Sequence, residues 1–181
     1  MNYKVLYRKY RPKTFDEIVG QNNIITLLKD SIINNKISHA YIFSGPRGTG
    51  KTSTAKIFAK AINCLDNTNG NPCLNCEICS NFNLNNDIYE IDAASNTGVD
   101  QIREIIDNVK LSPITSKYKV YIIDEVHMLS TSAFNALLLT LEEPPSHVVF
   151  ILATTNIEDV PITVLSRCQR LDFRKIANKD I

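Results

Sequence analysis

The sequence predicts an α/β fold with a doubly wound, mostly parallel sheet of five strands. Short apolar segments of strand length alternate with segments whose apolar residues recur at helical spacing. This alternation is typical of parallel sheets with helices on both faces. A glycine-rich string, GPRGTGKT, lies between the first predicted strand and the helix after it. The length of 181 residues fits one domain of this class, or one domain with a small insertion.

The N-terminal part of the sequence predicts an arm, two helices and one strand. Cations, aromatic residues and the helix breaker Pro12 predict an ordered, extended segment over 6–15. Apolar residues at helical spacing over 22–34 predict an amphipathic helix. The apolar run 40–44 predicts the first strand, and residues 52–62 predict the helix that follows the glycine-rich string.

The middle of the sequence predicts an insertion and a second unit of strand and helix. Residues 63–81 are rich in Asn, Cys, Pro and Gly and show neither helical nor strand periodicity. We therefore expect a surface insertion that needs something other than an apolar core to hold it. Residues 87–93 predict a strand, and the apolar residues of 99–109 mark one face of a helix.

The C-terminal part predicts two further strand and helix units and a last strand. The β-branched run 119–123 predicts a strand that ends at two acidic residues, and 130–141 predict a helix stopped by two prolines. Residues 148–153 predict a buried strand. A short helix is expected after Pro161, followed by a strand over 169–173.

The composition excludes several classes of protein. Hydrophobic residues make up 44% of the chain and charged residues 22%, which excludes wholesale disorder. The formal net charge of +1 excludes a strong overall field that would hold the chain on nucleic acid or on an anionic membrane. No apolar run approaches the roughly 20 residues needed to span a bilayer, and the N-terminus is too polar for a signal peptide. We therefore expect a cytoplasmic protein without a membrane partner.

The glycine-rich string fits the pattern G-x-x-x-x-G-K-[ST] at all of its fixed positions. Glycines allow the backbone N–H groups to turn towards a triphosphate, and the helix N-terminus adds a positive dipole. Lys51 would reach the β and γ oxygens, and Thr52 would be a magnesium ligand. We therefore predict ATP or GTP binding by Gly45, Pro46, Arg47, Gly48, Thr49, Gly50, Lys51 and Thr52.

Two carboxylates follow the predicted strand 119–123. Asp124 and Glu125 lie where an open α/β sheet places the residues that face its ligand. We expect Asp124 to hold magnesium together with Thr52, and Glu125 to orient and polarise the attacking water. The sequence thus favours nucleotide hydrolysis over binding alone. The alternative is an exposed acidic turn at the end of a strand.

Four cysteines of the insertion have the spacing of a metal site. Cys73, Cys76 and Cys79 form C-x-x-C-x-x-C, and Cys64 stands nine residues upstream. Four thiolates suit a tetrahedral structural zinc, which would hold a segment too polar to form a core. An iron–sulfur cluster uses similar ligands, although nothing else in the sequence indicates electron transfer. Reduced thiols without a metal are the other alternative, and Cys168 is expected to be a packing residue.

Five features, in this order and spacing, closely resemble a known family. They are GPRGTGKT, the C…C-x-x-C-x-x-C insertion, YIIDEVHML, LATT and LSRC. Together they are similar to the N-terminal ATPase domain of the gamma/tau subunits of bacterial DNA polymerase III, from VLYRKYRPKTFDEIVGQ to about Phe173. The resemblance implies a P-loop NTPase of the AAA+ class. It would hydrolyse ATP as a motor of the clamp loader, which opens the ring-shaped sliding clamp and places it on primed DNA during chromosome replication.

The resemblance also implies partners. They are the delta and delta prime subunits, further gamma/tau copies, the beta sliding clamp, and primed DNA held by the assembled ring. The chain would act within the DNA polymerase III holoenzyme, whose overall chemistry is nucleotidyl transfer. We expect residues 1–181 to form one AAA+ nucleotide-binding domain that lacks the family's lid and collar domains, so that this domain alone would be a poor ATPase.

Roles for residues near the C-terminal end follow from the resemblance. Thr155 would be the sensor that responds to the γ-phosphate, with Asn156 as a neighbouring candidate, and a strand-end cap is the alternative for Thr155. Arg167 would be an arginine finger that acts in trans on the nucleotide of a neighbouring subunit, worth roughly 10³ to 10⁵ in rate. From the residues alone, a surface salt bridge is the alternative for Arg167.

The resemblance assigns the N-terminal arm, residues 1–20, to the nucleotide base. Arg11, Pro12 and Val19 would lie near the adenine. The other cations of the arm form either a solvated face or a phosphate-contacting patch. These cations are Lys4, Arg8, Lys9 and Lys13. Residues 95–98 would face DNA in the family but carry no cation, so any phosphate contact there would use backbone N–H groups and polar side chains.

Two other classes of function remain open. A P-loop enzyme such as a monomeric small-molecule kinase would use Arg167 within its own chain, but the pair Asp124-Glu125 argues against it. A non-catalytic, nucleotide-dependent module would use the cysteine insertion as a docking surface. That second class is disfavoured because a module without catalysis need not keep Lys51, Thr52, Asp124 and Glu125, which are all intact.

Overall fold

In the computed structural model of the protein, residues 11–95 and 99–176 are described, except for the side chains of Val99 and Gln101. The strands are β1 (Ala40–Ser44), β2 (Ile88–Asp92), β3 (Lys119–Asp124), β4 (Val148–Thr154) and β5 (Gln169–Asp172). The α-helices are α1 (Asn22–Ile33), α2 (Lys51–Ile62), α3 (Glu77–Ser80), α4 (Val99–Val109), α5 (Thr131–Glu142) and α6 (Ile162–Leu165). Short 3₁₀ helices cover Phe15–Glu17, Phe82–Leu84, Val126–Met128 and Ile157–Asp159. Within the described ranges, no helix is long and apolar enough to cross a bilayer.

The strands form one sheet in the order β2-β3-β4-β1-β5, and every neighbouring pair in the described part of the chain is parallel. Helices cover both faces. Side chains alternate along β1, so Tyr41 and Phe43 pack with α1 and α2 on one face, whereas Ala40 and Ile42 pack with α4 and α5 on the other. The predicted doubly wound α/β fold is therefore confirmed.

Differences from the predicted elements arise where single side chains set the local structure. Ser130 caps α5 instead of starting it, because its Oγ accepts a hydrogen bond from the Ala133 N–H at 3.2 Å. The insertion contains α3, a turn of helix without a hydrophobic pattern to signal it. Phe15 is fully buried at the start of a 3₁₀ helix, so the predicted extended segment ends there. Its residues 6–10 lie outside the described part of the chain.

Candidate functional site

The sheet brings the predicted nucleotide-binding residues to one edge. Because all strands are parallel, their carboxyl ends meet there, and this is where open α/β sheets bind ligands. Ser44 at the end of β1 pairs with Thr154 at the end of β4, and Asp92 at the end of β2 pairs with Asp124 at the end of β3. The phosphate loop, residues 45–50, leaves β1 at this edge and enters α2.

Close contacts with the sheet hold the phosphate loop in shape. Gly45 has a φ of +144°, and a Cβ there would lie 2.3 Å from the Phe173 carbonyl oxygen, so only glycine fits. The Gly45 N–H donates to the Thr154 carbonyl at 3.2 Å, and Thr49 Oγ1 donates to the Pro46 carbonyl at 2.8 Å. The loop is thereby fixed at the N-terminus of α2, where a helix favours bound anions.

The side chain of Lys51, the first residue of α2, contacts the phosphate loop. Its side chain is buried, and Nζ donates to the carbonyl oxygens of Gly45 at 2.7 Å and Pro46 at 3.0 Å. Burial lowers the pKa of Lys51, and the carboxylates of Glu125 and Asp124 oppose this shift because they favour the charged amine. The ammonium group is therefore close to both the loop and the acidic pair.

Thr52 and Asp124 are in direct contact. Thr52 Oγ1 donates to Asp124 Oδ2 at 2.5 Å, although the two residues are 72 positions apart in the chain. The other carboxylate oxygen, Asp124 Oδ1, accepts the Glu125 N–H at 3.0 Å. A hydroxyl and a carboxylate side by side offer the oxygen ligands that magnesium prefers. These two residues therefore fit the metal ion that the sequence predicts for them.

Glu125 is held at the strand end by Thr155. Glu125 has a φ of +49°, a backbone conformation that costs of the order of 1–3 kcal/mol in a residue other than glycine. Its Oε2 accepts hydrogen bonds from Thr155 Oγ1 at 2.9 Å and from the Thr155 N–H at 3.3 Å. Asn156, the alternative sensor, instead donates to Asp159 Oδ2 at 2.5 Å. Of the two candidate sensors, Thr155 is thus the one that contacts Glu125.

An open cavity of about 570 Å³ lies in front of the phosphate loop, within the usual size range of small-ligand sites. Its lining includes the predicted residues Arg47, Gly48, Gly50, Lys51, Thr52 and the acidic pair. Three lining residues escaped the sequence analysis, Ser53, Asp92 and Ala94. Asp92 had a usable signal, because it ends a parallel strand at the same edge as Asp124.

The three residues predicted near the adenine are placed differently. Arg11 lines the cavity, and its Nε donates to Ser53 Oγ at 3.2 Å. Pro12 is half-buried. Val19 is 45% exposed beside Gly20, which lines a second cavity of about 350 Å³ near the start of α1. The other predicted cations of the arm lie outside the described residues, except for Lys13, and so do residues 96–98 of the segment predicted to face DNA.

Arg167 lies in the turn after α6, and it is not among the described residues that line the phosphate cavity. One terminal guanidinium nitrogen donates to Glu142 Oε1 at 2.6 Å, and the other donates to the Thr163 carbonyl at 2.6 Å. The salt bridge that the sequence offered as the alternative is therefore present. About a third of the Arg167 side chain, 32%, remains exposed at the surface.

The four cysteines of the insertion converge on one point. Their sulfur atoms all lie within 4.8 Å of one another, and the Cys64–Cys76 and Cys73–Cys79 pairs are both 3.9 Å apart. Zinc–sulfur distances of about 2.3 Å separate the sulfurs of a tetrahedral site by about 3.8 Å. Burial opposes ionisation of Cys76, but N–H groups of Leu65 and Cys79 lower its pKa to about 6. The cluster is compatible with zinc.

Comparison with known proteins finds close relatives. A family model described as DNA polymerase III, delta subunit, matches residues 20–177. DNA polymerase III subunit tau of Bacillus subtilis is 56% identical over 100% of this chain and 32% of its own length. Subunit tau/gamma of Haemophilus influenzae is 51% identical over 100% of this chain and 27% of its own length. The chain thus spans about a third or less of these two relatives.

Solved structures share the fold. A DNA polymerase III gamma subunit-related protein of Thermotoga maritima has a TM-score of 0.63 at 21% identity, over 88% of this chain and 47% of that one. The RuvB Holliday junction branch migration motor of Thermotoga maritima has a TM-score of 0.66 at 23% identity, over 94% of this chain and 51% of that one. The fold is that of the P-loop AAA+ proteins.

Proposed function

The chain belongs to the gamma/tau subunits of bacterial DNA polymerase III, and from that premise we propose that it binds and hydrolyses ATP as a motor of the clamp loader. In this proposal ATP binding orders a ring of subunits that grips the sliding clamp and primed DNA. Hydrolysis across the subunit interfaces then releases both. The proposed location is the cytoplasm, where chromosome replication takes place in bacteria.

The observation that carries the proposal is the 2.5 Å hydrogen bond between Thr52 and Asp124. It joins the end of the phosphate loop to the acidic end of β3, so the residues expected to hold phosphate and magnesium form one site. Lys51 would hold the β and γ oxygens of the nucleotide, while Thr52 and Asp124 would hold the magnesium ion. Magnesium, when bound, would neutralise charge that develops on the phosphate oxygens.

Glu125 is the group proposed to orient and polarise the attacking water. Its carboxylate is anchored by two hydrogen bonds from Thr155. Thr155 therefore has a direct route by which contact with the γ-phosphate would change the position of Glu125, since one hydroxyl cannot donate to both. Such a coupling supports Thr155 as the sensor residue in this chain.

Arg167 is proposed to act on the nucleotide of a neighbouring subunit. It lies at the surface, and it is not among the described residues of its own phosphate cavity. A guanidinium group supplied by a neighbour would stabilise charge on the transferring phosphoryl group. The partners in this proposal are delta, delta prime and further gamma/tau subunits, together with the beta clamp and primed DNA.

The cysteine cluster is proposed to hold a structural zinc ion. Its spacing of 3.9 Å between paired sulfurs suits tetrahedral coordination by four thiolates. The ion would supply cohesion to a segment with few apolar contacts of its own. It would take no part in the hydrolysis of ATP.

Nucleotide binding by the full-length chain with magnesium tests the first step. Lys51→Ala should lower the affinity for ATP at least a hundredfold, because the variant loses the only cation buried inside the described loop; a hundredfold change corresponds to about 2.8 kcal/mol. Lys36→Ala is the matched control, since Lys36 is exposed and lies outside the cavity. Retained affinity in Lys51→Ala would show that the loop is not the nucleotide site.

A further inference from the structure

The turn of the cysteine insertion touches the base of the N-terminal arm. Asn71 Oδ1 accepts the Phe15 N–H at 3.0 Å, and Asn71 Nδ2 donates to Asp16 Oδ2 at 2.9 Å. Both ends of the Asn71 amide are therefore engaged by consecutive residues of the arm. Asp16 in turn forms an ion pair with Lys29 of α1, and this pair lowers the pKa of Asp16.

The same turn is pressed closely against α1. Gly70 has a φ of +76°, and a Cβ there would lie 2.9 Å from the Lys29 Cα atom, so a larger residue would push the turn away from the helix. A bridge between Thr68 and Asn71 closes the turn, and Asn67 Nδ2 donates to the Ala61 carbonyl at 3.3 Å. The position of Asn71 is thus fixed from several sides.

The cysteine cluster brackets this turn. Cys64 precedes it and Cys73 follows it, and the Cys73 N–H donates to Cys64 Sγ at 3.2 Å. Because both flanks of residues 65–72 enter one cluster, a metal ion held there would close the loop and restrict the turn. Leu65, within the loop, is 72% exposed, so the apolar core contributes little to holding it.

The first described residue of the arm reaches the phosphate cavity. Phe15 is fully buried in the core with α1 and α2. Four residues before it, Arg11 lines the cavity and donates to Ser53 Oγ at 3.2 Å. Between them, the Lys13 N–H donates to Glu17 Oε2 at 2.8 Å. The contacts of Asn71 with Phe15 and Asp16 therefore set the direction in which residues 11–14 run towards the cavity.

From these contacts we infer that Asn71 is a positioning residue for nucleotide binding, through which the cysteine insertion anchors the arm that carries Arg11 to the cavity. The insertion then serves the nucleotide site of its own chain. This inference rests on the proposed nucleotide site. It adds that metal occupancy and nucleotide affinity are linked, because the turn that carries Asn71 is closed by the metal ligands.

A charge-swapped pair of variants tests the contact. In the full-length chain, Asn71→Asp places two carboxylates together and should weaken binding of mant-ATP with magnesium about tenfold. Asp16→Asn combined with Asn71→Asp restores one donor and one acceptor, with the Phe15 N–H still accepted by residue 71, and should recover most of that affinity. Asn69→Asp is the matched control, since it makes the same charge change at an exposed position of the same turn and should leave the affinity unchanged.

A second comparison tests whether Asn71 acts through Arg11. Arg11→Ala should itself lower the affinity for mant-ATP, and adding Asn71→Asp to it should cause little further loss, because the described part of the arm then has no side chain to place in the cavity. Additive losses would contradict a route through Arg11. Bound metal and the melting temperature of Asn71→Asp should both stay near wild type, which a general loss of folding would not allow.

Metal removal completes the test. Chelation of the bound metal should lower the affinity of the wild-type chain about as much as Asn71→Asp does, and should have little effect on Asn71→Asp itself. If the wild type binds mant-ATP through Lys51 but Asn71→Asp and chelation leave the affinity unchanged, the inference is wrong and the proposed function stands. If the wild type does not bind the nucleotide, or binds it equally without Lys51, the proposed site itself is wrong.

Discussion

The phosphate-binding edge of the sheet and the cysteine insertion are held by different forces. The edge rests on β1, β3 and β4, whose residues are nearly all buried between two layers of helices. The insertion instead exposes Leu65 and carries Asn71 on a turn flanked by Cys64 and Cys73 of the four-cysteine cluster. Core packing therefore fixes the first region regardless of ligands, whereas the second depends on its thiols and on a few polar contacts.

The largest expected effect is a loss of catalysis at the phosphate-binding edge of the sheet, with the fold unchanged. Glu125→Gln keeps the shape of the side chain but removes the charge that would polarise water, so ATP turnover by the reconstituted loader should fall about 10² to 10⁴-fold. Nucleotide affinity and stability should change little. Glu143→Gln, exposed after α5, is the control and should keep its turnover. Steady-state phosphate release measures both, and near-normal turnover in Glu125→Gln would remove its proposed role.

The next effect is a loss of metal and of thermal stability in the cysteine insertion, with the phosphate loop unchanged. Cys76→Ala should abolish stoichiometric zinc and lower the melting temperature, because a structural zinc site contributes folding free energy, about 10–16 kcal/mol in small zinc-finger peptides. The phosphate loop should stay folded. Nucleotide affinity should fall only by the roughly tenfold that arm anchoring explains, which corresponds to about 1.4 kcal/mol.

Cys168→Ala is the matched control for the zinc prediction. Cys168 packs half-buried against the core beside α5 and α6, where burial raises its pKa to about 12. It should keep full metal content, as a packing residue would. Zinc measured by release and colorimetry, with thermal unfolding alongside, distinguishes the two cysteines. Unchanged zinc in Cys76→Ala would contradict the four-cysteine site.

The smallest expected effect concerns Asp87, a buried carboxylate that holds the sheet by polar contacts rather than by apolar packing. Burial alone would raise the pKa of Asp87, but N–H groups of Ile114, Thr115 and Ser116 donate to its carboxylate and lower the pKa below its usual range. A lowered folded-state pKa means that the ionised group stabilises the fold above the unfolded pKa, about 3.9. That stability is lost as the pH falls through the lower, folded-state value.

Asp87→Asn should therefore lower the free energy of unfolding by about 1–3 kcal/mol at pH 7, because an amide places N–H groups against N–H donors. The difference from wild type should shrink as the pH falls below about 4. Urea denaturation across this range measures it. A difference that stays constant with pH would mean that the charge of Asp87 contributes nothing.

The sequence could predict the elements and site residues that depend on a local pattern of apolar residues or on a short motif. β1 is predicted with its observed limits, since an apolar run bounded by a glycine-rich loop has one plausible structure, and Thr52 with Asp124 follow from their motifs. The contacts of Asn71 with the arm could not be predicted, and the surface salt bridge offered as the alternative for Arg167 could not be assigned to Glu142. Each joins residues far apart in the chain by one or two hydrogen bonds, and neither leaves a periodic signal.

The central claim is a motor whose active site is completed by a neighbouring subunit, and mixing two inactive variants tests it most directly. Lys51→Ala and Arg167→Ala versions of the full-length chain are reconstituted with the partner subunits, separately and together, and ATP turnover is measured. Each alone should be nearly inactive, and mixing should restore turnover, because a phosphate loop from one subunit meets the arginine of another. If the variants co-assemble but mixing restores nothing while the wild type turns over, Arg167 acts within its own chain and the claim is wrong.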